Sequence, residues 1–200
     1  MPARIKTFEE KVELVDTLRA LFILESKSMG RKTLSKKLGV GEGYIRKIIR
    51  KLEERKYIRT SRMGTSLSDK GRELLNELRN AIRPLGRIQL AEHKGAFGIV
   101  VRKAADKVVK GLEERDEAIR YGATGAMILT YQNDKLWFPS LDCVTDKYPE
   151  IDSSVRRAAG ELHEGDVVIV AWGDNEIDSE RGAYAAALLL LEKAKAKIRI

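Results

Sequence analysis

Tyr44, Arg46, Lys47, Arg50 and Lys51 fall in one short segment, at spacings that gather them on or beside one face of a helix. Cations and a tyrosine on an exposed helix face are suited to phosphate oxygens and base edges. Arg59 and Arg62 follow within a polar, β-like stretch, and Arg62 is expected at a loop tip where it would reach a flanking phosphate or a minor groove. These seven residues form the predicted DNA-binding set.

Other residue types capable of chemistry offer less. His93 and His163 are far apart in sequence and have no liganding partners at metal-binding spacing, so structural or solvated roles are expected. Cys143 reads as an inert, half-buried thiol. The sequence holds no glycine-rich phosphate loop, zinc-ligand spacing or nucleophile motif. No enzyme activity, metal or cofactor is therefore expected.

Trp172-Gly173-Asp174-Asn175-Glu176 follows an apolar run and leads into the last helical pattern. Strand ends that open into loops are common ligand positions. The carboxylates of Asp174, Glu176, Asp178 and Glu180 would repel phosphate and favour a cationic or amine-bearing effector. Trp172, Asp174, Asn175 and Glu176 are the candidate ligand residues. The plainer alternative is a solvated loop whose acidic residues complement a helix dipole, with Asp178 or Ser179 as the cap.

The elements that must position the basic set can be read between residues 31 and 72. Leu34 and Leu38 share one face of a short helix that stops at Gly39, and Val40 fills the gap before the next helix. From about Glu42 to Lys56, the residues Ile45, Ile48, Ile49 and Leu52 form a buried stripe, leaving the cations outside. Tyr57–Ser61 and Thr65–Ser68 read as strands joined by Arg62-Met63-Gly64. Ser68 is the predicted cap of a further helix, with Leu74, Leu75, Leu78 and Ile82 inside and a break at Pro84-Leu85-Gly86. A first helix from about Thr7 to Glu25 packs over this core or meets a second subunit.

The Leu34–Leu38–Gly39–Val40 turn, the Tyr44–Leu52 helix and the Leu67-Ser68-Asp69-Lys70-Gly71 exit resemble the winged helix-turn-helix domains of bacterial and archaeal transcriptional regulators. The resemblance covers residues from about 7 to 82. It implies that the helix at about 42–56 enters a DNA major groove while the wing, about 58–68, lies on the flanking backbone. The whole chain also resembles an uncharacterised archaeal family in which such a domain precedes an α+β domain of unknown function.

Charge follows the same division. Residues 1–86 hold 21 Lys and Arg against 11 Asp and Glu, and the remainder holds 17 against 19, within an overall net charge of +8. The excess confined to one half fits a nucleic-acid partner better than a generally solvated surface. A length of 200 residues suits two domains, 1–86 and 87–200. The single cysteine precludes an intramolecular disulfide, no signal-peptide pattern precedes the first helix, and no apolar run is long enough to span a bilayer, so a cytoplasmic location without membrane partners is expected.

The second half alternates element types: strands at Phe97–Val101, Ala126–Tyr131, Lys135–Phe138 and Val167–Trp172, with helices at Gly111–Tyr121, Ser153–Leu162 and Ser179–Lys195. Gln132-Asn133-Asp134 marks a hairpin, so the expected fold is α+β: a winged helix-turn-helix followed by a two-layer domain with a partly antiparallel sheet. The apolar last helix implies burial or a subunit interface. The expected function is that of a DNA-binding transcriptional regulator, a homodimer on double-stranded DNA. Its second domain would sense a small-molecule effector, dimerise, or both, setting two readers about 34 Å apart. The alternative is an adaptor that docks its winged helix on transcription or translation machinery.

Overall fold

Thr7 caps the first helix. Its hydroxyl accepts the Glu10 amide N–H at 3.2 Å, and the Glu10 carboxylate accepts the Thr7 amide N–H at 2.9 Å. This reciprocal box satisfies two amides at the helix start. The computed structural model describes residues 7–195. Two compact units divide between Glu77 and Leu78.

In the first unit, α1 (Phe8–Ser26) is followed by α2 (Arg31–Leu38), α3 (Glu42–Glu54), the hairpin β1 (Ile58–Ser61) and β2 (Gly64–Leu67), and α4 (Asp69–Arg79), whose last two residues fall in the second unit. Gly39 ends α2 in the left-handed region, φ 68°, and its N–H donates to the Lys36 carbonyl. Arg19, wholly buried on α1, donates to Asp16 at 2.9 Å and to the Leu38 carbonyl at 3.0 Å, tying α1 to the α2–α3 turn. The predicted stripe of Ile45, Ile48, Ile49 and Leu52 is buried. In the hairpin, Ile58 pairs with Leu67 and Thr60 with Thr65. Ser68 caps α4, its hydroxyl accepting the Gly71 N–H at 3.0 Å.

The second unit is built on a five-stranded sheet in the order β3 (Ile82–Ile88), β4 (Ala96–Val101), β7 (Val167–Trp172), β5 (Gly125–Gln132), β6 (Lys135–Trp137). Every neighbouring pair is antiparallel, which completes the partly antiparallel arrangement expected. Alternation along the strands sends Ile99, Ile169 and Ile128, paired in one row, to one face. The adjacent row of Val100, Val168 and Leu129 faces the other way, into a core shared with Val155 and Ala159 of α7 (Pro149–Ala159). The sheet's first face is covered by α5 (Leu112–Arg120) and α8 (Glu176–Lys193), while α6 (Val144–Lys147) precedes α7. Helices thus lie on both faces, giving three layers where two were predicted. The apolar helix α8 is buried from Ser179 to Leu191 over almost its whole circumference.

Several boundaries differ from those read in the sequence. The helix predicted to run to Ile82 stops at Arg79, and Pro84-Leu85-Gly86 is not a break but part of edge strand β3, with a register shift between Pro84 and Gly86. Proline lacks a donor, and an edge with a bulge tolerates that loss. The helix α7 begins at Pro149 rather than Ser153, its proline occupying the first turn where a missing N–H costs nothing. The helix α8 begins at Glu176, capped by Asn175 rather than by Asp178 or Ser179.

Candidate nucleic-acid interface

The predicted basic set separates into three groups once α3 and the hairpin are in place. Arg46 and Arg50 line an open cleft of about 470 Å³ together with Arg62 at the hairpin tip, Thr60 and Glu53. Arg31, the first residue of α2, lines it too, although the sequence reading passed over it. Its position directly before the Leu34–Leu38 helix was the available signal. Arg50 lies 3.8 Å from Glu54, one turn on, with both side chains exposed. Such a pair contributes little and can be exchanged for a phosphate.

Lys47 and Lys51 occupy a different flank. Both ammonium groups converge on Glu13 of α1, Lys47 at 2.6 Å from Oε2 and Lys51 on Oε1. Burial pushes the Glu13 carboxyl up, but the hydrogen bonds from Lys47 and Lys51 outweigh it and hold the group below its ordinary value of 4.5. The carboxylate therefore stays ionised at neutral pH. Nothing in the spacing of α1 singled out Glu13, whose partners lie far along the chain.

Arg59 belongs to the third group. Its strand neighbour Thr60 faces the buried Thr65, so Arg59 points to the opposite side of the hairpin, 3.4 Å from Asp69. Asp69 also accepts from Arg72 at 2.6 Å, and this bond, with the charges of Arg72 and Arg59, holds its carboxyl below the usual 3.8. Tyr44 is half-buried near the start of α3. The structure thus brings together Arg46, Arg50 and Arg62, and leaves Lys47, Lys51 and Arg59 in other company.

Of the candidate ligand residues, three have roles within the second unit. The Trp172 ring stacks on His93 with centroids 3.9 Å apart and planes 8° from parallel. Asn175 accepts the Asp178 N–H at 3.0 Å and donates to its carboxylate at 2.6 Å. Glu176 pairs with Arg87 at 2.9 Å. Asp174 is exposed. Among the described residues, no group of three or more His, Cys, Asp or Glu is placed to hold a metal ion, and no helix is long and apolar enough to cross a membrane.

The whole structure is similar to that of a hypothetical protein, PH0730, from Pyrococcus horikoshii OT3: TM-score 0.77, 31% identity, covering 94% of this chain and 95% of that one. The chain belongs to the PH0730-like family. Residues 13–73 match the PH0730-like N-terminal domain, and residues 93–191 match a domain of unknown function, DUF4443. No curated protein matches the chain. The first match spans α1 through the start of α4 and includes the cleft residues together with Glu13, Lys47 and Lys51. The family places this chain with an uncharacterised archaeal protein and brings no assigned site.

Proposed function

We propose that the chain is a DNA-binding transcriptional regulator whose first unit is a winged helix-turn-helix. The single observation that carries this reading is the cleft between α3 and the hairpin. It presents four arginines (Arg31, Arg46, Arg50 and Arg62) from three separate elements, against one carboxylate, Glu53. The order helix, turn, helix, hairpin, helix is that of a winged helix, in which α3 would enter the major groove and Arg62 the adjoining backbone or minor groove. Arginine forks suit both guanine edges and phosphate oxygens, so the same set supports positioning and readout. A basic excess limited to the part of the chain that holds the cleft supports the reading further.

Among the described residues of the second unit, no group of three or more His, Cys, Asp or Glu is placed to hold a metal ion. In this reading it serves pairing of two copies, detection of an effector, or both. One α3 reads a half-site, and a homodimer would read two.

The deciding experiment is selection of genomic duplex fragments by the purified chain, followed by retardation of the enriched duplex over a series of salt concentrations. The expected result is enrichment of a limited set of fragments and an affinity that falls linearly with salt on logarithmic axes. Failure to enrich any fragment, with co-purification of a protein assembly instead, would overturn the proposal in favour of an adaptor.

A further inference from the structure

The most unusual feature of the basic surface is the fate of Lys47 and Lys51. They stand one turn apart on the same edge of α3, so their ammonium groups can close on a single anion. In the free chain that anion is Glu13. One carboxylate oxygen serves each lysine, and the carboxylate is largely withdrawn from solvent (13% exposed) while the lysines remain 49% and 48% exposed. Two ammonium groups gathered on one anionic centre is also the arrangement that a backbone phosphate would meet on a nucleic-acid-binding helix.

We propose that Glu13 is an internal stand-in for a DNA phosphate, which keeps Lys47 and Lys51 out of the contacts made with DNA and so limits affinity. The inference rests on the DNA-binding reading above and deepens it by naming a residue that regulates the same surface. Three observations support it. The carboxylate belongs to α1, an element outside the α3–hairpin cleft, so its removal spares Arg31, Arg46, Arg50 and Arg62. Its start is fixed by the Thr7–Glu10 box, so Glu13 sits on a defined turn rather than a fraying end. Half-exposed lysines are open to an external anion without rearrangement of the fold.

The competition is quantitative rather than absolute. Ion pairs with an exposed partner contribute little, so Glu13 weakens binding instead of abolishing it. Each lysine released to phosphate steepens the slope of log affinity against log salt by about 0.9.

The test is a salt titration of duplex binding by the full chain, comparing wild type, E13Q, K47Q/K51Q and the triple variant E13Q/K47Q/K51Q. E13Q keeps the side chain's shape and removes its charge. The expected result is several-fold tighter binding by E13Q at about 0.1 M salt, with a slope steeper by about 0.9 to 1.8 for one or two lysines released. The triple variant should lose that gain, while K47Q/K51Q alone should bind nearly as wild type does. E13Q with the affinity and slope of wild type, at an unchanged melting temperature, would overturn the inference. So would a K47Q/K51Q variant with a slope shallower by about 1.8, because the lysines would then already be engaged in wild type. This second arm decides the matter even if E13Q does not fold. A wild-type chain that binds no duplex overturns the DNA-binding reading itself, whereas wild-type binding with an indifferent Glu13 overturns this inference alone.

Discussion

Met29 and Thr65 exchange two backbone hydrogen bonds, Met29 N–H to Thr65 O at 3.0 Å and Thr65 N–H to Met29 O at 2.9 Å. The link between α1 and α2 is thereby fastened to the hairpin strand that borders the basic cleft. The hairpin is more than a flap hung from the end of α3. Its second strand is held from one side by β1 and from the other by the chain that leads into Arg31, so Arg31 and Arg62 are referred to one backbone frame.

That fastening sets the first prediction. Gly64 adopts φ +111°, and a Cβ there would lie 2.6 Å from the Met29 carbonyl carbon and 2.7 Å from its oxygen. Gly64→Ala carries both backbone strain and a clash with main chain that cannot swing aside. A destabilisation of about 3 kcal/mol is expected, read as a lower urea midpoint at unchanged slope. A change below about 0.5 kcal/mol would mean that the hairpin is not pinned at Met29.

The arginines of the hairpin and α3 should behave unequally in duplex binding. R46A/R50A should shallow the log–log salt slope by about 1.8, as two phosphate contacts require, and R62A by about 0.9. R59A should leave the slope alone, because Arg59 faces Asp69 on the other side of the hairpin. Equal losses for Arg59 and Arg62, measured by retardation at several salt concentrations, would contradict the division of the basic set.

Buried charge in α1 gives a third expectation. Asp16 and Arg19 are 1% and 0% exposed, and Arg19 also serves the Leu38 carbonyl at the end of α2. R19A removes the Asp16 ion pair and the Leu38 hydrogen bond together and should cost about 3–5 kcal/mol in chemical denaturation. R19M combined with D16N removes both charges and should cost distinctly less. If the double variant is as unstable as R19A, the loss lies in the Leu38 contact rather than in the charge.

Tyr121, at the end of α5, supplies a pH-dependent expectation. Burial, with a smaller contribution from the Glu117 charge, pushes its hydroxyl up to about 12 from 10. A folded-state value above the unfolded one means that the folded chain retains its proton longer. The stability contribution is complete below pH 10 and is lost as pH rises from 10 through 12. Absorbance titration of phenolate should lose its component near pH 12 in Y121F. That variant should also show a weaker alkaline loss of stability than wild type. Identical alkaline profiles for the two proteins would refute the assignment.

The first unit was legible because its signals are local. Leu34, Leu38 and Gly39 announce a short helix and its stop, and Ile45, Ile48, Ile49 and Leu52 announce the next by period alone. The second unit was read less well for physical reasons. Pro84 and Gly86 signal a break in a helix or an inner strand, and only the position of β3 at a bulged sheet edge makes them acceptable. The Asn175 cap competed with two equally suitable caps immediately downstream. In the candidate interface, helix periodicity placed Lys47 and Lys51 on the outside correctly. It could not show that Glu13, remote in sequence, holds them there.

The sheet order also bears on how the molecule comes into being. Strand β7 lies at the centre of the sheet, between β4 and β5, yet among the described residues it is the last strand in chain order. Until Val167–Trp172 has left the ribosome, the two hairpin halves β3–β4 and β5–β6 have no strand to join them. The first unit, whose elements all precede β3 in the chain, has every one of them in hand earlier. Its elements are all synthesised before β7, the strand on which closure of the sheet waits.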